Sequence, residues 1–365
     1  MRFIIVTQTF PPRTGGMQNV MENLSIKLSN NHETIVFPDH KLPSEHKLLK
    51  SSIQFNFTSA PKLIRKYIKK FKLIKTLLPN DCIVCDSWKS LSAIPENNYK
   101  IITLAHGQEF LSKKNHKKIK NALARSSLII CSSSFTKNLI LKDWNYKTLN
   151  ITVIPPTYSL DKEIIVSKPK SYDKSTYDKS INLITLSRLE VRKGHKYVLQ
   201  SLYYLKNQNL VNNFKWLICG DGPLKKNLEN VAKQLGLSKN IRFLGNVSNK
   251  EKFKLLNQSD LFVMPSIKHT NSVEGFGISY IEAAKYGIPS ISGIEGGVVD
   301  AVIDNKTGWN VDPLNTNKLN KVMFEALNNH EKRIEFGKNA QKIFLDKFSG
   351  EQVFKKFLEN VKILY

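Results

Sequence analysis

Glu274 and Glu282 bracket the stretch Glu274-Gly275-Phe276-Gly277-Ile278-Ser279-Tyr280-Ile281-Glu282. Two glycines around an aromatic residue free the backbone to approach a diphosphate where a helix begins, and the unpaired N–H groups of a first turn favour an anion. Glu274 stands just before that helix and is placed to accept hydrogen bonds from sugar hydroxyls. Glu282 lies about two helical turns further on, where ribose hydroxyls are good donors to a carboxylate. The glutamates alone would read as a surface pair; the Gly-aromatic-Gly turn between them favours a ligand site. Upstream, Ser187-Arg188-Leu189-Glu190-Val191-Arg192-Lys193-Gly194 follows an apolar run. Arg188 offers a two-pronged grip on phosphate oxygens and Lys193 a mobile point charge. Gly194 precedes another helix, whose N-terminus adds partial positive charge. The plain alternative is a basic surface loop; its position after a strand favours phosphate.

The first half carries weaker signals. Thr9-Phe10-Pro11-Pro12-Arg13-Thr14-Gly15-Gly16-Met17-Gln18 follows the first strand-like run. It is not a G-x-G-x-x-G, so an anion-binding loop and an ordinary strand-to-helix turn both stay open. His106, at the end of Ile101–Ala105, is a candidate to bond a sugar hydroxyl or assist proton movement; taken alone, it reads equally as a packed side chain. Cys219-Gly220-Asp221-Gly222-Pro223 reads as a structural turn, and Ile294-Glu295-Gly296-Gly297-Val298 as a further lining segment. Asp-x-Asp is absent, and close carboxylates are what a divalent cation needs beside a diphosphate. Arg188, Lys193 and helix N-termini would then meet the diphosphate charge, with no metal and no cofactor. Cys82 and Cys85 form a C-x-x-C without a second pair and read as buried free thiols.

Elements able to position these residues recur along the chain. Strand-like runs at Phe3–Thr7, Thr34–Phe37, Cys82–Cys85, Ile101–Ala105, Leu128–Cys131 and Ile151–Ile154 alternate with helical stretches. The alternation restarts at Asn182–Leu186 and continues through Lys215–Cys219, Ile241–Leu244, Leu261–Met264 and Ser290–Ser292. This is the pattern of an α/β chain with parallel sheets. Between the halves, residues 167–180 are polar, contain a doubled Tyr-Asp-Lys-Ser and read as a linker. The expected organisation is a first domain at 1–166, a second at 181–348, and a helical tail at 349–365 that packs back on the first. Ligands of such sheets sit at the carboxyl ends of the strands, here in a cleft between two domains.

The 365 residues are 41% hydrophobic and carry a net charge of +26, which excludes a disordered chain and implies an anionic partner. No apolar run approaches the roughly 20 residues that cross a bilayer, and the N-terminus reads as a strand rather than a signal peptide. A cytoplasmic protein is expected, peripheral on the inner face of the membrane. Pro61–Leu78 supplies the basis: apolar residues at 63, 64, 67, 68, 71, 74, 77 and 78 alternate with Lys62, Arg65, Lys66, Lys69, Lys70, Lys72 and Lys75, with no acid among them. Either this helix lies on an anionic membrane through Arg65, Lys66, Lys69 and Lys70, or its apolar face packs on the sheet behind a solvated basic back. Nucleic acid is not expected, because no aromatic-interleaved basic motif is present.

With these residues assembled, the chain resembles the GT-B glycosyltransferases of family 4, a retaining class, over nearly its whole length. The resemblance rests on Gly15-Gly16, His106-Gly107, Cys131-Ser132-Ser133-Ser134, Arg188 with Lys193-Gly194, Gly220-Asp221-Gly222-Pro223 and the Glu274/Glu282 pair, in family order. Phe10–Gly16 and Met264–Gly277 are most similar to the phosphatidylinositol mannosyltransferase branch. The resemblance implies two Rossmann-like domains facing across a cleft, with 1–166 binding the acceptor and 181–348 the nucleotide sugar. It implies that Arg188 and Lys193 hold the donor diphosphate, that Glu274 meets the transferred sugar and Glu282 the ribose, and that His106 lies near the sugar's 6-hydroxyl. Gly15 and Gly16 would face phosphate or acceptor, the Gly275-Phe276-Gly277-Ile278 backbone the diphosphate, and Gly245-Asn246-Val247 the base. Thr9 stands where that branch often has Asp, a departure that bears on the acceptor. The expected reaction is hexose transfer from a GDP- or UDP-sugar to a lipid-linked or glycan acceptor in surface polysaccharide or lipopolysaccharide assembly. A nucleotide-sugar epimerase of the same fold and a non-catalytic polyanion binder are the alternatives.

Overall fold

Runs of aliphatic and β-branched residues, punctuated by Gly, Ser and Asp, form two separate parallel sheets in the computed structural model, which describes residues 1–13, 15–144, 149–160, 180–211 and 213–365. The expected linker lies outside the described residues except for Ser180. The chain divides into two compact units, Met1–Asp161 with Ser349–Tyr365, and Lys162–Phe348.

The first unit is built on seven strands: β1 (Arg2–Val6), β2 (Glu33–Phe37), β3 (Gln54–Phe55), β4 (Cys82–Cys85), β5 (Lys100–Ala105), β6 (Leu128–Cys131) and β7 (Ile151–Val153), in the order β3-β2-β1-β4-β5-β6-β7. All the pairings are parallel. The strands are near-continuous apolar runs because both faces are covered; Phe3, Ile4, Ile5 and Val6 are each fully buried. Helices α1 (Gly16–Ser29), α2 (Lys62–Thr76), α3 (Trp88–Leu91), α4 (His116–Leu123) and α5 (Ser134–Asn138) link them. Cys82 and Cys85 are buried free thiols, and burial pushes Cys82 up to about 12.

The second unit carries β8 (Ile181–Leu186), β9 (Phe214–Cys219), β10 (Ile241–Gly245), β11 (Leu261–Met264), β12 (Ser290–Ser292) and β13 (Gly308–Asn310), in the order β10-β9-β8-β11-β12-β13. Its helices are α6 (His195–Asn207), α7 (Lys225–Gln234), α8 (Asn249–Asn257), α9 (Ile278–Lys285), α10 (Val298–Ala301), α11 (Thr316–Asn328) and α12 (His330–Ile343). In both sheets the strand order reverses beside the first strand, at β1/β4 and at β8/β11. A reversal sends neighbouring crossovers to opposite faces and opens a crevice at the strands' carboxyl ends. The residues singled out for chemistry follow β1, β5, β8, β10 and β11. The tail helix α13 (Gly350–Lys362) belongs to the first unit. Gly350 N donates to Leu160 O at 2.8 Å, and the Phe357 ring meets Tyr158 edge-on at 6.2 Å.

Helix α2 overturns the expectation for its basic side. Lys69, assigned to the membrane, is buried, donating to Asp39 Oδ1 at 2.6 Å and Thr7 O at 2.9 Å. Arg65 likewise turns inward, to Asp39 Oδ2 at 3.0 Å and Ala60 O at 2.8 Å, and Lys72 donates to Phe57 O at 2.6 Å. Only Lys66 of the four is fully exposed, with Lys70 half-buried. A buried ammonium needs a partner; Asp39, following β2, and carbonyls left over at the strand ends provide them. Burial draws the Lys69 ammonium down from its ordinary value, with Asp39 opposing. The alternative in which the apolar face packs on the sheet also fails: Leu63, Ile64, Tyr67, Phe71, Ile74 and Leu78 are all exposed.

Candidate active site

After β8 the chain makes a single 3₁₀ turn, Val191–Lys193, and reverses at Gly194 before α6. Gly194 has φ of +78°, and a Cβ there would meet Pro265 O at 2.1 Å, so only glycine brings this turn against the segment after β11. The approach buries Lys193, whose Nζ bonds Glu274 Oε2. Arg192 Nη1 reaches the same oxygen at 2.7 Å. The pairing continues outward: Arg192 Nε to Glu190 Oε2 at 3.2 Å, and Glu190 Oε1 to Arg188 Nη1 at 2.8 Å. The Arg188 side chain is 74% exposed. Burial opposes ionisation of Glu274, but Lys193 and Arg192 outweigh it and hold the carboxyl below its usual range. Burial also draws the Lys193 ammonium down, with Glu274 opposing. Three cations around two carboxylates leave the cluster a net positive charge, suited to a ligand anion.

Glu274 is held from behind as well. Gly297 N donates to Glu274 O at 2.8 Å, so the Gly296-Gly297 segment braces the glutamate's backbone. Gly275 and Phe276 lead into α9, capped by Gly277 with φ of +90° and no side-chain cap. A Cβ on Gly277 would meet the Tyr280 ring at 2.4 Å. The first-turn amides of α9, beginning at Ile278, therefore lack a side-chain acceptor from the cap residue, the condition for an anion to take that place. Glu282, in the second turn, bonds Lys252 Nζ from α8. Val247 is half-buried in the segment after β10, where Gly220 N donates to Gly245 O at 2.6 Å.

His195, the first residue of α6, bonds Ser187 Oγ through Nε2 at 3.2 Å and stacks on buried Trp216. Burial, then the Lys193 charge, push it down to about 3. The folded state keeps the ring neutral while the unfolded chain takes up a proton below about pH 6.5. The unfolded state then binds more protons, so stability falls as pH drops from about 6.5 towards 3. At about pH 5 the loss is ~2 kcal/mol. His195→Asn should remove that component, checked by urea unfolding at about pH 7.5 and about pH 5; an unchanged pH dependence would show that another group controls it.

In the first unit, the carboxyl ends of β1 and β4 meet through Asp86, 1% exposed. Its Oδ2 accepts from Thr7 Oγ1 (2.9 Å), Gln8 N (2.8 Å), Thr9 N (2.8 Å) and Thr9 Oγ1 (2.6 Å), and its Oδ1 from Ser90 Oγ (2.6 Å). His106 Nε2 lies 2.9 Å from Asp86 O, and His106 N donates to Glu109 Oε1 at 2.8 Å. Gly15 caps α1 without a side-chain bond, and Gly16 opens the helix.

The structure thus gathers Lys193, Glu274 and the Gly275–Ile278 turn in one place. Arg188 joins them only through Glu190 and Arg192, and Glu282 stands with Lys252. Gly15, Gly16 and His106 belong to the other unit. Four residues were missed: Arg192 and Glu190, inside the motif but passed over beside Arg188 and Lys193; Lys252, without any local signal; and Asp86, whose Cys85-Asp86-Ser87 strand end resembles many others.

The chain matches the family model "Glycosyl transferases group 1" over residues 168–343 and "Glycosyltransferase Family 4" over residues 14–162. It is 24% identical over 358 residues, 89% of this chain and 88% of the relative, to the GDP-mannose-dependent alpha-(1-6)-phosphatidylinositol monomannoside mannosyltransferase of Mycolicibacterium smegmatis. Among solved structures it is similar to Anabaena Alr3699/HepE in complex with UDP, with a TM-score of 0.81 and 18% identity, covering 99% of this chain and 100% of that one. It is also similar to the apo form of the lipopolysaccharide outer core galactosyltransferase WaaB, with a TM-score of 0.74, 18% identity and all of both chains covered. At such identities the structures speak for the fold. With the two models covering successive halves and two parallel-sheet units of seven and six strands beneath them, the chain belongs to the group 1 and family 4 glycosyltransferases and has their GT-B fold.

Proposed function

We propose that the protein transfers a hexose from a GDP- or UDP-sugar to a hydroxyl of a lipid-linked or glycan acceptor in cell-surface polysaccharide or lipopolysaccharide assembly, with anomeric configuration retained and without a metal. The observation that carries this reading is the cluster of buried Lys193 with half-buried Glu274 and Arg192, beside the start of α9, which has no side-chain cap. In this reading Lys193 and Arg188 receive the diphosphate together with the Gly275–Ile278 backbone. Preorganised cations and amides there stabilise the charge that grows on the leaving group. Glu274, ionised and fixed from both sides, takes the sugar hydroxyls. Glu282 takes the ribose in place of Lys252, and the backbone at Val247 meets the base. His106, Gly15 and Gly16 serve the sugar and acceptor side. The relative's GDP-mannose and the neighbour's bound UDP support a nucleotide-sugar donor. The phosphatidylinositol monomannoside in the relative's name supports a lipid-linked acceptor and a peripheral membrane location on the cytoplasmic face.

The test is a thermal-shift comparison of GDP- and UDP-sugars, followed by proton NMR of the product's anomeric signal with the stabilising donor and a chelator present. A donor at about 100 times its dissociation constant raises stability by about 2.7 kcal/mol. Retained configuration is expected; inversion, a chelator-dependent rate, or conversion of the donor with no acceptor present would each overturn part of the reading. Glu282→Gln should raise the donor KM about tenfold with kcat within about twofold, the pattern of lost uniform binding. A fall in kcat alone would move Glu282 out of the ribose site.

A further inference from the structure

Glu190 lies between two arginines that the local chain path places beside it. Its backbone is extended, with φ of −121° and ψ of 156°. Successive side chains of an extended segment point to opposite sides, so Leu189 goes into the core, fully buried, while Arg188 shares the side of Glu190. The 3₁₀ turn that follows brings Arg192 back to the same carboxylate. The two oxygens are divided between the arginines: Oε2 accepts from Arg192 Nε at 3.2 Å, and Oε1 pairs with Arg188 Nη1 at 2.8 Å. The two pairs are unlike. The Arg192 side chain, 15% exposed, is also fixed by Glu274 Oε2 at 2.7 Å. Arg188, with its side chain 74% exposed, stands at the open edge of the cluster. An ion pair with one partner so far in solvent is weak, and a guanidinium readily exchanges one carboxylate oxygen for a two-pronged grip on phosphate.

We propose that Glu190 is an internal competitor of the diphosphate: its carboxylate holds Arg188 until the donor's diphosphate takes the guanidinium, and takes it back when the nucleoside diphosphate leaves. This rests on the reading of Arg188 and Lys193 as partners of the diphosphate, and adds to it a residue that weakens their grip. Charge gives the reason for such a residue. A sugar-linked diphosphate carries roughly two negative charges. The nucleoside diphosphate left after transfer carries roughly three, because its terminal phosphate loses a second proton at about pH 6. Fixed cations therefore hold the product harder than the donor. Glu190 halves the formal charge of the cluster it forms with Arg188, Arg192, Lys193 and Glu274, and offers Arg188 a partner as the product departs. Glu274 does not take this part, since Lys193 and Arg192 both hold its carboxylate.

The test is isothermal titration calorimetry of GDP and of UDP, at low salt where screening is least, into the full chain, Glu190→Gln, Arg188→Ala and the double variant. Wild type should bind one of the two nucleotides, and Glu190→Gln should bind that one about tenfold tighter. Arg188→Ala should bind it more weakly. In that background Glu190→Gln should gain less than about threefold, because the arginine it would release is gone. Glutamine keeps the side-chain length and an oxygen for Arg192. The backbone bonds of the turn, Glu190 N to Arg188 O and Lys193 N to Glu190 O, do not involve the carboxylate, so circular dichroism should match wild type. A residue that only supported the loop would give equal or weaker binding when replaced, and that result for Glu190→Gln would overturn the proposal. So would a gain of the same size with and without Arg188, which would make Glu190 a general repulsive charge. Failure of wild type to bind either nucleotide, or undiminished binding by Arg188→Ala, would overturn the diphosphate reading itself and the proposal with it.

Discussion

Lys193→Ala should lower kcat/KM by about three orders of magnitude, a loss of ~4 kcal/mol in transition-state stabilisation. The Lys193 ammonium is buried and points at the Glu274 carboxylate. A charge in such a place is screened little by water, so it acts strongly on any phosphate that joins it. Removing it does not orphan Glu274, which keeps Arg192 at 2.7 Å. The unit should therefore stay folded, with activity lost out of proportion to stability. Lys193→Arg should not restore the rate, because a planar guanidinium does not fit a slot shaped for an ammonium. Initial rates with the donor identified by thermal shift give the answer. Activity within about tenfold of wild type in Lys193→Ala would remove the residue from the phosphate site.

Asp86→Ala should destabilise the first unit by ~4 kcal/mol. One Asp86 oxygen accepts four bonds, two of them from the main-chain N–H groups of Gln8 and Thr9. Deleting the carboxylate leaves several donors without acceptors, at about 1–3 kcal/mol for each one that stays buried. For a unit of this size the midpoint should fall by about 10 °C. Asp86→Asn keeps an acceptor oxygen and the side-chain shape, and should cost less than half as much. Scanning calorimetry of both variants checks this, and equal midpoints for Asp86→Ala and wild type would show that the network contributes nothing to stability. The same network fixes Thr9. Its hydroxyl and its N–H both donate to Asp86, and a carboxylate at position 9 would replace a donor with a like charge beside Asp86. The departure from the mannosyltransferase pattern at Thr9 is thus matched by its partner 77 residues away.

Local patterning carried much of the architecture. β4, β6, β11 and β12 stand at the residues their apolar runs indicated. β3 and β13 did not show. Gln54–Phe55 is two residues long, and Gly308-Trp309-Asn310 has no apolar run; each is a strand because a neighbour, β2 or β12, presents an edge to it. Such pairings are tertiary facts, invisible to periodicity.

α2 shows the limit most clearly. Its alternation of apolar and basic residues was plain, but the usual rule sends the apolar face inward. Asp39 and the carbonyls of Thr7 and Phe57, all outside the helix and 15 to 62 residues from their partners, reversed it together with the Ala60 carbonyl just before the helix.

The sequence by itself determined the α/β class, the two-part organisation, and the glycine-bounded motifs around Lys193 and Glu274. These depend on chain-local properties: strand-length apolar runs, turns that need glycine, and helix starts. Only the tertiary structure decided that Lys193 and Arg192 share one oxygen of Glu274, that Lys252 stands on Glu282, that Asp86 ties two strand ends together, and which face of α2 meets solvent. Each joins residues on different strands or helices, and charge pairs and hydrogen bonds of that kind are set by which strand ends the sheet order brings side by side.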